Sequence, residues 1–411
     1  MHCFRLFRYS TLLYLLLFIS VVFSNIACLN SGSALPDTSE FSSLFVQASS
    51  LSAKKDCSNF SRTSIDSLVR VLHKQNLTPG SFTAIINDSS GLAYTVGYRT
   101  PAHFVVDTVY PLIIYLHGGI GTTLTTKGEK AYDMLAPLGD SLPLFLCSPS
   151  ANREAPWWSP SGLQRIMQTM RYMTIRYPID PNRVFLAGVS DGATGCYMAA
   201  NTIGSPFAGF LAISGYGGML TQMGIPLIAA NLMQRPIYNI NAGQDHLYPL
   251  ENVNSFLDKL EQQGVYLKRS VYLDEKHGFD YREKEFGAIA GLLRGWRKPE
   301  YSSSAAWAFL PGFPALAPGI IEWHIVDNPA KLPLVSYTLN HDTLTMRTQS
   351  MSSVIIGLPH TGNLIVRQNS SRIRTVRPLK NFFNNTVQAM RHSGFPHSNA
   401  QESFYQIDLK P

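Results

Sequence analysis

From Pro111 onward the chain repeats one pattern, a short and mostly apolar run followed by an amphipathic segment. The runs are PLIIYLH (111–117), LPLFLC (142–147), RVFLAGV (183–189), FAGFLAIS (207–214), PIYNINA (236–242) and KRSVYL (268–273). Segments with helical spacing, such as 162–176 and 250–263, lie between several of them. Strands buried on both faces and alternating with helices predict an α/β fold with a doubly wound, mostly parallel sheet. Two extended runs, near 82–86 and 92–99, precede the pattern.

The flanks have a different texture. Arg5 and Arg8 precede an apolar core, TLLYLLLFISVVF (11–23), and small or polar residues follow. Residues 1–27 are therefore expected to be a signal peptide, since the core is short for a membrane span. SNIAC resembles a bacterial lipobox ending at Cys28, with Asn25 where an aliphatic residue is usual. Either Cys28 is lipidated or cleavage near Ser24 or Ala27 frees an ordinary residue. The expected organisation continues with a tether and N-terminal helix (28–80, helical over 64–74), an α/β domain (81–297) and a Pro/Gly/Ser-rich linker (298–319). A small β-rich C-terminal domain (320–411) follows, built from runs such as IIEWHIV, LPLVSYTLN, SSVIIGL and FYQIDL.

Hydrophobic residues make up 45% of the 411, which suits a packed globular protein. The net charge of +7 includes Arg5 and Arg8 and is too weak to argue for nucleic acid. Arg367, Arg372, Arg374, Arg377, Lys380 and Arg391 form a basic stretch, either a solvated strand face or a contact for anionic polymer or headgroups. Cys57, Cys147 and Cys196 show no metal spacing, and the last two read as small buried hydrophobes.

The chemistry centres on Gly188-Val189-Ser190-Asp191-Gly192, where a strand becomes a helix. Glycines permit a tight turn that lifts the serine hydroxyl clear of the sheet and points the helix N-terminus at a developing oxyanion. A serine hydroxyl needs a base to take its proton and an acid to orient that base. Asp245 follows one later strand and His277 the next, giving the order Ser, Asp, His at successive strand ends. Asp274 and Glu275 lie too close in sequence to His277 to orient it easily, and Asp280 comes too late. His246 is expected to face solvent or substrate. His117-Gly118-Gly119 follows a buried strand, so a backbone N–H there, from Gly119 with Gly118 close behind, pairs with that of Asp191 as an oxyanion hole. Trp157 and Trp158 follow the strand ending at Cys147, and either line a substrate pocket or cap the core.

Together YPLIIYLHGG, YPIDPNRVFLAGVSDGATG and KHGF resemble the α/β-hydrolase superfamily, in its exported esterase, polyhydroxybutyrate depolymerase and prolyl-oligopeptidase-like branch. The resemblance runs from about Tyr98 to Trp296 and departs at Ala193, where many relatives have another glycine. It implies a serine hydrolase without cofactor, acting through Ser190, Asp245 and His277. Carboxylic esters, including polymer-attached ones, are the expected substrates. A serine peptidase and a non-catalytic envelope-binding protein on a hydrolase scaffold are the rival readings.

Overall fold

A computed structural model describes residues 77–88, 91–105, 108–299, 303–327, 329, 331–360, 362–369, 372–379 and 403–409. The expected signal peptide, Cys28 and the 64–74 helix lie outside the described residues.

Eight strands form the main sheet: β1 (Ser81–Asn87), β2 (Ala93–Arg99), β3 (Tyr110–Leu116), β4 (Phe145–Pro149), β5 (Ile179–Val189), β6 (Gly209–Ile213), β7 (Ile237–Ala242) and β8 (Leu267–Tyr272). Their order is β1-β2-β4-β3-β5-β6-β7-β8. Only β2 runs against the others. Four longer helices cover the sheet: α1 (Pro160–Arg176), α2 (Asp191–Thr202), α3 (Leu250–Gln262) and α4 (Arg282–Gly295). The Ser159 hydroxyl caps α1 by accepting from the Gly162 N–H at 3.0 Å, and Pro160 starts the helix where no N–H is needed.

Strand alternation divides β3 between two cores. Leu112, Ile114 and Leu116 pack with Leu163, Ile166, Met170 and Met173 of α1 on one face. Ile113 and Tyr115 pack with Ile289 and Leu293 of α4 on the other. Each such side chain contributes roughly 1.5–3 kcal/mol when fully buried. Helix α3 turns Val253, Leu257 and Leu260 inward at helical spacing.

A second body follows. Strands β9 (Ser304–Ala308), β11 (Leu334–Asn340), β12 (Thr343–Gln349), β14 (Leu364–Gln368) and β15 (Arg372–Val376) form one sheet. Strands β10 (Ile320–Ile325), β13 (Met351–Leu358) and β16 (Ser403–Asp408) form another. Trp307, Tyr337, Met346, Ile356 and Tyr405 lie in the core they share.

The stretch 298–319 is more than a linker. Strand β9 lies inside it, because pairing with β11 supplies hydrogen bonds that its small residues could not secure locally. The Asn231 side chain then holds Ala308 at both ends, accepting from its N–H and donating to its carbonyl, each at 2.8 Å. The basic stretch also needs correction as one solvated face. Arg367 is exposed on β14, while Arg374 on β15 pairs with Val366 and is half-buried, as alternation requires.

Candidate active site

The GxSxG turn is built by close approach. A Cβ on Gly188 would overlap the Gly192 carbonyl, and one on Gly192 would overlap the Leu116 carbonyl of neighbouring β3. Ser190 itself sits at φ 57°, a conformation that costs a non-glycine residue of order 1–3 kcal/mol and occurs where surrounding structure enforces it. Its N–H is held by the Ile213 carbonyl of β6 at 2.9 Å.

The structure brings Ser190, His277 and Asp245 together. Ser190 Oγ lies 3.1 Å from His277 Nε2, and His277 Nδ1 lies 2.8 Å from Asp245 Oδ2. The other carboxylate oxygen accepts the N–H groups of Leu247 and Tyr248, each at 2.9 Å. The Asp245 side chain is fully buried, and these bonds fix its direction. The acid and histidine loops are joined: Gly243 N–H donates to Tyr272 and Gln244 N–H to Glu275, both at 2.8 Å. Glu275 is paired with Lys284, and Asp280 with Arg282, so neither serves His277.

Gly118 packs so tightly on Ser190 that an added Cβ would stand 2.9 Å from the serine Cβ. Gly119 takes φ +63° and has its carbonyl held by Lys127 Nζ at 2.7 Å. Asp191 opens α2, where an N–H has no intrahelical acceptor, and its carboxylate accepts the Ile120 N–H at 3.0 Å. The two proposed donors, Gly119 and Asp191, thus flank Ser190 on segments tied to each other.

His117 supports this loop from beneath. The Ala151 N–H donates to Nε2 at 3.1 Å, which leaves the ring proton on Nδ1, 2.9 Å from the Gly118 carbonyl. Burial lowers its pKa to about 4, chiefly through desolvation, so the ring is neutral near pH 7.

Around Ser190 lies a cavity of about 670 Å³, lined in part by Tyr115, Met134, Val189, Met219, Tyr248 and Tyr281. The Tyr248 ring stacks on His277 with centroids 5.5 Å apart. Neither tryptophan lines it. Trp157 is fully buried, and its indole N–H donates to the His117 carbonyl at 2.9 Å, so it belongs to the core. Trp158 is half-buried against the same core, and His246 is exposed outside the cavity lining. Sequence reasoning missed Tyr248, although an aspartate three residues before it is an Asx-turn signal. It missed Met134, Met219 and Tyr281 because they arrive from separate segments with no shared spacing. Among the described residues no cluster of three or more His, Cys, Asp or Glu could hold a metal, and no helix is long and apolar enough to cross a membrane.

The sheet order, the strained serine turn and the hydrogen-bonded Ser–His–Asp chain define an α/β-hydrolase. Residues 156–309 match the family model described as the dienelactone hydrolase family, which supports a hydrolase. No curated protein matches the chain. Among solved structures it is similar to a thermostable esterase (20% identity, TM-score 0.43, covering 53% of this chain and 63% of that one). It is also similar to a ferulic acid esterase (15%, 0.43, 53% and 99%) and to the acylaminoacyl peptidase of Pyrococcus horikoshii (14%, 0.44, 56% and 43%). The chain therefore spans less than two thirds of the first esterase's length.

Proposed function

We propose that the protein hydrolyses carboxylic esters through an acyl-enzyme on Ser190. The observation that carries this reading is the unbroken chain from Ser190 Oγ through His277 to the buried Asp245 carboxylate. His277 Nε2 takes the hydroxyl proton as Oγ attacks the ester carbonyl carbon. The carbonyl oxygen becomes an oxyanion facing the N–H groups of Gly119 and Asp191. Collapse expels the alcohol, which receives the proton from His277. Water then repeats the sequence on the acyl-enzyme, releasing the acid and restoring Ser190.

An ester is favoured over a peptide by the cavity's largely apolar lining. A peptidase that grips a substrate amino terminus needs an acid placed for that task, and the cavity's Asp191 instead uses one carboxylate oxygen to accept the Ile120 N–H. A binding-only scaffold is disfavoured by Ser190, whose strained backbone serves no purpose in a site without a nucleophile. An apolar cavity open to bulky groups suits esters carried on a polymer as well as small ones. Export rests on residues 1–27, with Cys28 as the lipid attachment point. Cys28→Ser should move the protein from a membrane fraction to the soluble one, and wild-type protein already soluble after export would remove the anchor from this account.

A panel of short acyl and aryl esters set against dipeptide amides tests the reaction. Turnover of the esters well above that of the amides, lost in Ser190→Ala, supports it. Efficient cleavage of the amides with negligible ester hydrolysis overturns it.

A further inference from the structure

The cavity beside Ser190 also carries a specificity device, and this inference rests on the acyl-enzyme reading above. Met134, Val189, Met219 and Leu247 give the cavity an apolar wall, with Asp191 its acid and no lysine, arginine or glutamate among its lining residues. Apart from Tyr248, Asp191 and the reacting groups, its polar side chains are a pair of phenols. Tyr115 Oη and Tyr281 Oη lie 3.1 Å apart, on residues each only 1% exposed that both line the cavity.

Two phenols bring two O–H donors, and the bond between them uses one. Among the described residues no protein acceptor takes the other. A buried O–H without a partner costs about 1–3 kcal/mol. Burial raises the pKa of both phenols, that of Tyr281 to about 12, so each keeps its proton at neutral pH and acts as a donor. A carboxylate on the ligand would be desolvated here beside Asp191, with no lysine or arginine to pair it.

We propose that the Tyr115–Tyr281 pair selects esters that are free of carboxylates and largely apolar but carry one additional hydrogen-bonding oxygen, which accepts the spare phenolic O–H. Ethers, ketones and hydroxyls qualify. The methionines on the facing walls let chains of differing shape reach that donor.

The test walks an oxygen along the substrate. 4-Nitrophenyl hexanoate and its oxa analogues, in both series with an ether oxygen replacing in turn each chain methylene not bonded to the ester group, probe the acyl half. Hexyl acetate and its oxa analogues probe the alcohol half. Each ester is assayed with the wild-type protein and with the Tyr115→Phe/Tyr281→Phe double variant, so intrinsic ester reactivity cancels. In one series, at one position, kcat/KM relative to the parent ester should be roughly tenfold higher for the wild type than for the variant. Should the variant fail to fold, the wild-type profile corrected for hydroxide hydrolysis must show the same single peak. A flat profile in both series, with parent esters turned over and Ser190 labelled by a fluorophosphonate, overturns the inference alone. No turnover and no labelling overturns the acyl-enzyme reading and this inference with it.

Discussion

The carboxylate of Asp191, the residue after the serine, accepts the backbone N–H of Ile120 at 3.0 Å. One side chain thereby ties the start of α2 to the loop bearing Gly118 and Gly119, and both proposed oxyanion donors are held by the same bond. Asp191→Ala keeps its own backbone N–H but releases the loop. A hydrogen bond to a charged group is worth about 1.5–3 kcal/mol, so kcat should fall roughly tenfold or more while KM changes less. Asp191→Asn, which keeps an acceptor, should fall between. Steady-state kinetics with one activated ester decide it, and an Asp191→Ala enzyme with wild-type kcat contradicts the bracing role.

Gly192 faces backbone that cannot yield. Gly192→Ala drives a methyl into the Leu116 carbonyl, so a destabilisation of about 3 kcal/mol and loss of the serine turn are expected. Gly287→Ala is the control: nothing lies within 4 Å of its added methyl in α4, and alanine should gain about 1 kcal/mol. Urea unfolding midpoints of the two variants should move in opposite directions.

Much of this architecture is legible in the sequence because burial on both faces writes itself as unbroken apolar runs. β3, β4, β5, β6 and β7 each fall within one of the runs read as strands or overlap it. The proximity of Ser190, Asp245 and His277 is inferable because parallel strands deliver their ends to one edge of the sheet. Side-chain direction is less legible. Trp157 and Trp158 are adjacent and chemically alike, and only the fold decides that one is swallowed by the core while the other is half-buried against it. Strand β15 hides behind its arginines, since RIRTV reads first as charge and only by its pairing with β14 as a strand. The cavity is the least legible, because Tyr115 and Tyr281 meet across the fold with no local signal.

His117 sets an acid limit on stability. Unfolded, the ring takes up a proton near pH 6.5; folded, burial and nearby Lys127 hold it off until about 4, against the opposing pull of the Gly118 carbonyl and Asp191. The unfolded state therefore binds more protons between those values. The contribution is complete above about pH 6.5, shrinks as pH falls, and is exhausted below about 4. About 2 kcal/mol should be lost between roughly pH 7 and 5. His117→Asn should unfold with a visibly smaller difference between the two conditions, and an equal difference contradicts the assignment.

Trp157 and Trp158 should separate in a stability assay. Trp157→Ala leaves a core cavity and an unpaired His117 carbonyl, for an expected loss of about 3–5 kcal/mol. Trp158→Ala, half-buried, should cost clearly less. Equal melting temperatures for the two variants contradict the placement of Trp157.

The central claim is that Ser190 Oγ is the nucleophile, and covalent trapping tests it most directly. A fluorophosphonate should form one adduct, mapped by peptide mass spectrometry to the segment containing Ser190. The adduct should be absent in Ser190→Ala and form orders of magnitude more slowly in His277→Ala, where the base is gone. Stoichiometric labelling of Ser190→Ala at the wild-type rate, or an adduct confined to another residue, contradicts the account.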